Sequence, residues 1–91
     1  MIGGQPTIAN VSLTAATEGS YALLAGTNRF LIKLRATNAT LQLAFVSGES
    51  NTTYITIPAG SSLEVTEIKG TAITLYLYTA LAQTAEIVTW Q

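Results

Sequence analysis

Residues 29–37 carry the clearest alternation in the chain. Phe30, Ile32, Leu34 and Ala36 fall on one side of an extended chain, and Arg29, Leu31, Lys33 and Arg35 fall on the other. Successive side chains of a strand point to opposite faces, so this period buries one face and leaves the other for solvent or a partner. Elsewhere, too, alternation dominates. No stretch of a dozen residues keeps apolar positions at i, i+3, i+4 and i+7, so helices are not expected.

Turn residues cut the alternation into short pieces. Residues 7–16 read as a strand in which Ile8, Val11 and Leu13 alternate imperfectly, as a bulge near Asn10 would allow. Glu18-Gly19-Ser20 reads as a turn, 21–24 as a short strand, and Ala25-Gly26-Thr27-Asn28 as the next turn. After 29–37, Asn38-Ala39 reads as a tight hairpin connection to 40–47, where Leu41, Leu43 and Phe45 share a face. Residues 52–57 form a strand stopped by Pro58-Ala59-Gly60, whose spacing fits a type I turn. Residues 61–68 place Leu63 and Val65 inward and Glu64 and Thr66 outward, with Ile68 out of phase. Lys69-Gly70 turns the chain into 71–79, where Ile73, Leu75 and Leu77 oppose Tyr76 and Tyr78, and 85–90 is the last strand. About eight short strands at 8–12-residue spacing predict an all-β fold, an antiparallel β-sandwich, with a jelly-roll-like order as one way to connect it. Residues 1–6, with Gly3-Gly4 and Pro6, read as a flexible N-terminal arm, and 7–91 as a single domain.

Composition then limits what such a domain does. Cysteine and histidine are both absent, so there is no disulfide and no Ser–His or Cys–His nucleophile. Hydrophobic residues make up 48% and charged residues 10%, against a usual charged share of about 25%. Thr occurs 15 times and Asp never, which suits strands whose outer faces are polar but uncharged. A chain of 91 residues buries a modest fraction of its surface, and with so little charge, association between copies is the open route to stability. A net charge of −1 gives no basic field for nucleic acid. No run approaches the roughly 18 apolar residues of a membrane helix. The first residues have neither a basic nor an apolar signal region, so synthesis in a cytoplasm is expected.

The second half carries a recognisable succession: Arg29-Phe30-Leu31-Ile32-Lys33, Leu41-Gln42-Leu43-Ala44-Phe45, Tyr54-Ile55-Thr56-Ile57-Pro58-Ala59-Gly60-Ser61-Ser62-Leu63-Glu64-Val65, Ile73-Thr74-Leu75-Tyr76-Leu77-Tyr78 and Glu86-Ile87-Val88-Thr89-Trp90. Over residues 28–90 it resembles the small β-sandwich structural proteins of tailed bacteriophages, namely head-decoration (cement) proteins and head-fibre or tail-associated modules. The resemblance implies a virion component that acts as a multimer against a capsid or other virion protein. It implies no catalytic residue and no cofactor.

Two groups of side chains are candidate interface residues. Arg29, Lys33 and Arg35 place three of the four basic residues on one face of one strand. They fit an electrostatic contact with the glutamates of a neighbouring copy, or charges that block sheet stacking and edge pairing. Tyr54, Tyr76, Tyr78 and Trp90 are the large amphipathic aromatics. Tyr76 and Tyr78 share the face opposite Leu75 and Leu77, which fits a protein interface, a platform for sugar rings, or a face buried in an assembly. Trp90 is expected to be docked. The five glutamates have no convergent spacing, so a paired-carboxylate enzyme is not expected. Three Asn-X-Ser/Thr matches, at Asn10, Asn38 and Asn51, are those a chain rich in Asn and Thr makes by chance. The expected function is a non-enzymatic, homo-oligomeric virion protein, with a carbohydrate- or receptor-binding module as the alternative.

Overall fold

The computed structural model describes residues 6–68 and 73–90. Eight strands follow one another: β1 (Thr7–Leu13), β2 (Gly19–Ala22), β3 (Arg29–Leu34), β4 (Leu41–Ala44), β5 (Ile55–Ile57), β6 (Ser62–Val65), β7 (Thr74–Tyr78) and β8 (Gln83–Trp90). They form two four-stranded antiparallel sheets, sheet A in the order β1-β8-β3-β6 and sheet B in the order β2-β7-β4-β5. The expected antiparallel β-sandwich is the fold observed.

The pairing has a simple rule. β1 pairs with β8, β2 with β7, β3 with β6 and β4 with β5. The chain is thus one long hairpin turned at β4–β5 and then rolled up. The β3–β8 and β4–β7 pairings close the roll. This is the jelly-roll order, which buries one face of every strand without a helix.

The core lies between the sheets. Sheet A contributes Leu13, Phe30, Ile32, Leu34, Ala85 and Ile87, and sheet B contributes Leu41, Leu43, Ile57, Leu75 and Leu77, with Leu23 just beyond β2. At Gly19 the two sheets approach closely: a Cβ there would sit 2.6 Å from Leu13 Cδ2, so a larger residue would have to displace that buried leucine side chain.

Several local expectations fail for identifiable reasons. β3 and β4 are not a hairpin, because they lie in different sheets and both edges of β3 are already taken by β8 and β6. Residues 35–40 instead carry the chain across the sandwich. β1 has no bulge and pairs with β8 residue by residue, which turns Ala9, Val11 and Leu13 inward and leaves Ile8 outside. The first turn falls at 14–17, with Ala16 left-handed (φ 54) and held by Thr79 O at 2.8 Å, so Gly19 and Ser20 belong to β2. β4 ends at Ala44, so Phe45 leaves the core pattern and is exposed. At the proline turn, Ser61 N donates to Pro58 O, which places Gly60 (φ +78) at the third position. That is a type II requirement, one residue later than the type I reading. The out-of-phase Ile68 is explained by Glu67, whose left-handed backbone (φ 61) reverses the chain and returns Ile68 to the core. The expected turn at Lys69-Gly70 and residues 1–5 of the expected arm lie outside the described residues; Pro6 is exposed.

Candidate binding surfaces

The rolled hairpin has two poles. One gathers the start of β1, the end of β8 and the β2–β3, β4–β5 and β6–β7 connections. The other gathers the β1–β2, β3–β4, β5–β6 and β7–β8 connections. Seven large apolar side chains are exposed among the described residues: Ile8, Leu24, Phe45, Val46, Tyr54, Ile55 and Leu81. Six of them lie toward the first pole, and only Leu81 lies at the second. Single exposed apolar residues need no explanation, but a gathering at one end marks a contact surface.

The outer face of sheet A carries the charge. Arg29, Leu31 and Lys33 point outward from β3, with Arg35 just beyond it, as their alternation requires. Each basic residue meets a glutamate of its own chain on a flanking strand. Lys33 Nζ lies 3.0 Å from Glu86 Oε1, Arg35 Nε lies 2.9 Å from Glu86 Oε2, and Arg29 Nη1 lies 3.5 Å from Glu64 Oε2. The Arg35 hydrogen bond, then that of Lys33, holds the Glu86 carboxyl below its ordinary pKa. All these side chains are partly solvated, so the pairs orient the face more than they stabilise it. Between the charges runs an apolar row set by register, Ile8–Val88–Leu31.

Trp90 closes β8 on this same outer face. Its cross-strand partner is Arg29, whose guanidinium carbon lies 3.9 Å from the centre of the indole ring. Asn28 N donates to Trp90 O at 2.8 Å, and Ile68 N donates to Asn28 O at 3.0 Å. These bonds tie the ends of three strands together around an open groove of about 600 Å³, lined by Asn28, Arg29, Thr66, Glu67 and Trp90.

Sheet B is different. Tyr76 and Tyr78 do point outward from β7, opposite the buried Leu75 and Leu77, yet both are half-buried. Their cover is the chain's own 45–54 loop. Gln42 is the cross-strand partner of Tyr78, and Glu18 stands one residue before Gly19, the partner of Leu77. Glu18 and Gln42 therefore flank Tyr78 in one row across the sheet, and both grip the same part of the loop. The Glu18 carboxylate accepts from Ser50 Oγ (2.5 Å), Gly48 N (3.0 Å) and Ser50 N (3.2 Å). Gln42 Nε2 donates to Ser50 O (3.1 Å) and to Asn51 Oδ1 (2.9 Å). The loop thus crosses over the outer face of β7, and Ser50 is 1% exposed while outward-facing Ala44, the partner of Tyr76, is 3% exposed. The Ser50 hydroxyl, then the Gly48 amide, holds the Glu18 carboxyl below its ordinary pKa.

The seven candidate interface residues therefore occupy three places. Arg29, Lys33, Arg35 and Trp90 share the outer face of sheet A. Tyr76 and Tyr78 lie under the loop on sheet B. Tyr54 is exposed at the pole, just before β5. Trp90 and the tyrosines do not form one platform. Asn28, Thr66 and Glu67 of the groove, and the Glu18–Gln42 latch, were not identified from the sequence. The phase break at Ile68 was the one available signal for Glu67; Glu18 lies 30 and 32 residues from its loop partners and gave none. Among the described residues, no group of three or more acidic side chains converges as a metal cradle.

No protein-family model and no curated protein matches the chain. Among solved structures it is similar to a de novo designed double-stranded β-helix determined by solution NMR, with a TM-score of 0.62, 13% identity, and coverage of 93% of this chain and 99% of the design. At that identity the likeness concerns the rolled double sheet alone.

Proposed function

We propose that this chain is a non-enzymatic structural protein that assembles with copies of itself, as a capsid decoration (cement) or fibre- or tail-associated component of a tailed-phage virion. The observation that carries the self-assembly reading is the gathering of six of the seven exposed large apolar side chains toward one pole. Copies that meet there remove Val46 (62% exposed) and Phe45 (45% exposed) from water without disturbing either sheet. The low charge of the chain leaves little repulsion to oppose this. The virion reading rests on the succession of motifs over residues 28–90. Jelly rolls also build lectins and cupins, so the fold is compatible with that role without selecting it.

Native mass spectrometry and light scattering across a concentration series test the proposal. The expected result is a discrete multimer that Val46→Glu shifts to monomer with the far-UV spectrum unchanged. A wild-type chain that stays monomeric at every concentration overturns it.

A further inference from the structure

We infer that the groove between the start of β3, the end of β6 and the end of β8 is a saccharide-binding site. Sugars present neighbouring hydroxyls that both donate and accept, beside small C–H faces. The lining residues supply a matching set of groups: a carboxylate (Glu67), an amide (Asn28) and a hydroxyl (Thr66), beside Arg29 and Trp90.

Three features separate this groove from an accidental surface dent. First, three of its four polar side chains are uncommitted. Among the described residues, Asn28, Thr66 and Glu67 make no side-chain hydrogen bond or ion pair, and Arg29 has only the long 3.5 Å contact to Glu64 besides its stacking on Trp90. Second, the walls are held in advance by the Asn28–Trp90 and Ile68–Asn28 backbone bonds. Third, Glu67 adopts a left-handed backbone (φ 61) that a glutamate normally avoids, and this residue lines the groove. Such outliers collect at ligand sites, where the surrounding structure maintains them.

The pairing of Arg29 narrows the ligand class. Its guanidinium is already opposed by Glu64 at 3.5 Å and stacked on Trp90, so an anion finds no free cation, whereas a neutral polyol finds donors and acceptors in Asn28, Thr66 and Glu67. The groove is on the sheet A side of the pole, and the exposed Phe45, Val46, Tyr54 and Ile55 are on the sheet B side. The substitutions at Val46 and at Glu67 therefore change different sides of the pole.

The chain has a single tryptophan, so its fluorescence reports this groove directly. The probes are neutral hexoses, N-acetylhexosamines and their di- and trisaccharides, with glycerol, a uronic acid and inorganic phosphate as counterparts. A saturable change with at least one neutral sugar, at a dissociation constant on the order of millimolar, is expected. Glu67→Gln and Thr66→Ala each weaken it about tenfold or more, while Tyr76→Ala leaves it unchanged. Glu67→Gly is the folding control: it relieves the left-handed backbone, keeps the far-UV spectrum, and still loses binding. No saturable response to any neutral sugar up to about 100 mM overturns the inference. So does a response to the uronic acid or phosphate alone, or sugar binding that survives both Glu67 variants. The native mass of the Glu67 variants stays that of wild type, so failure here leaves the assembly reading standing.

Discussion

The two outer faces of this sandwich solve the same problem in opposite ways. Sheet A faces outward with three ion pairs and an Arg–Trp stack, and needs no cover. Among the described residues sheet B carries no ion pair on its outward strand positions, and there the chain folds its own 45–54 loop over the tyrosines. Charge keeps one face compatible with water, whereas the other is buried by a segment latched at Glu18 and Gln42. Of the nine charged residues of the chain, five (Arg29, Lys33, Arg35, Glu64 and Glu86) pair on the outer face of sheet A, and sheet B is half-buried under the chain's own loop.

This contrast can be tested from the inside outward. The largest effects belong to the shared core. Leu77→Ala in sheet B and Ile87→Ala in sheet A each remove a fully buried side chain. Each should cost about 2–5 kcal/mol in denaturant unfolding. Similar values would confine the difference between the sheets to their outer faces, and a much larger cost for Leu77 would mean that the latched loop fails together with the core beneath it.

Next comes the latch. Glu18 and Glu86 are both held below the ordinary carboxyl value of 4.5. A carboxyl depressed in the folded state contributes stability above its unfolded value, and the contribution is lost as pH falls through the folded value. Acidification below 4.5 should therefore free the 45–54 loop, read as faster proteolysis within it and as dye binding at sheet B. Glu18→Gln should give the open loop already at neutral pH, with cleavage about tenfold faster than wild type. Unchanged cleavage in that variant would break the assignment of the latch.

The smallest effect separates the two carboxylates by salt. Glu86 faces two cations, so the destabilisation caused by Glu86→Gln should shrink toward zero by about 1 M salt. Glu18 is held by neutral donors, so the Glu18→Gln effect should persist there. Equal salt sensitivity would mean that the two faces do not differ in the way described.

Much of this fold is readable along the chain, because alternation reports which side chain faces inward wherever a strand is regular. Phe30, Ile32 and Leu34, and likewise Leu75 and Leu77, are in the core as their period demands. The outward direction of Tyr76 and Tyr78 follows from the same period. Their cover does not, because it depends on a carboxylate thirty residues away from the amides it binds. The groove was missed for a related reason: Asn28, Thr66 and Trp90 come together only once β3, β6 and β8 lie side by side. The failure at Asn38-Ala39 is of a third kind. Two alternating runs joined by a short link look alike whether the second run pairs with the first or crosses to the opposite sheet.

Local chemistry alone dictates an all-β chain with these inward side chains, no cross-link and almost no charge, since each of those properties depends on a residue and its near neighbours. Pairing by the rolled-hairpin rule, the loop folded over sheet B and the groove beside Trp90 emerge only when the core closes. Each depends on contacts between residues far apart in the chain, which no period or turn signal encodes and which become favourable only when both sheets bury their apolar faces together.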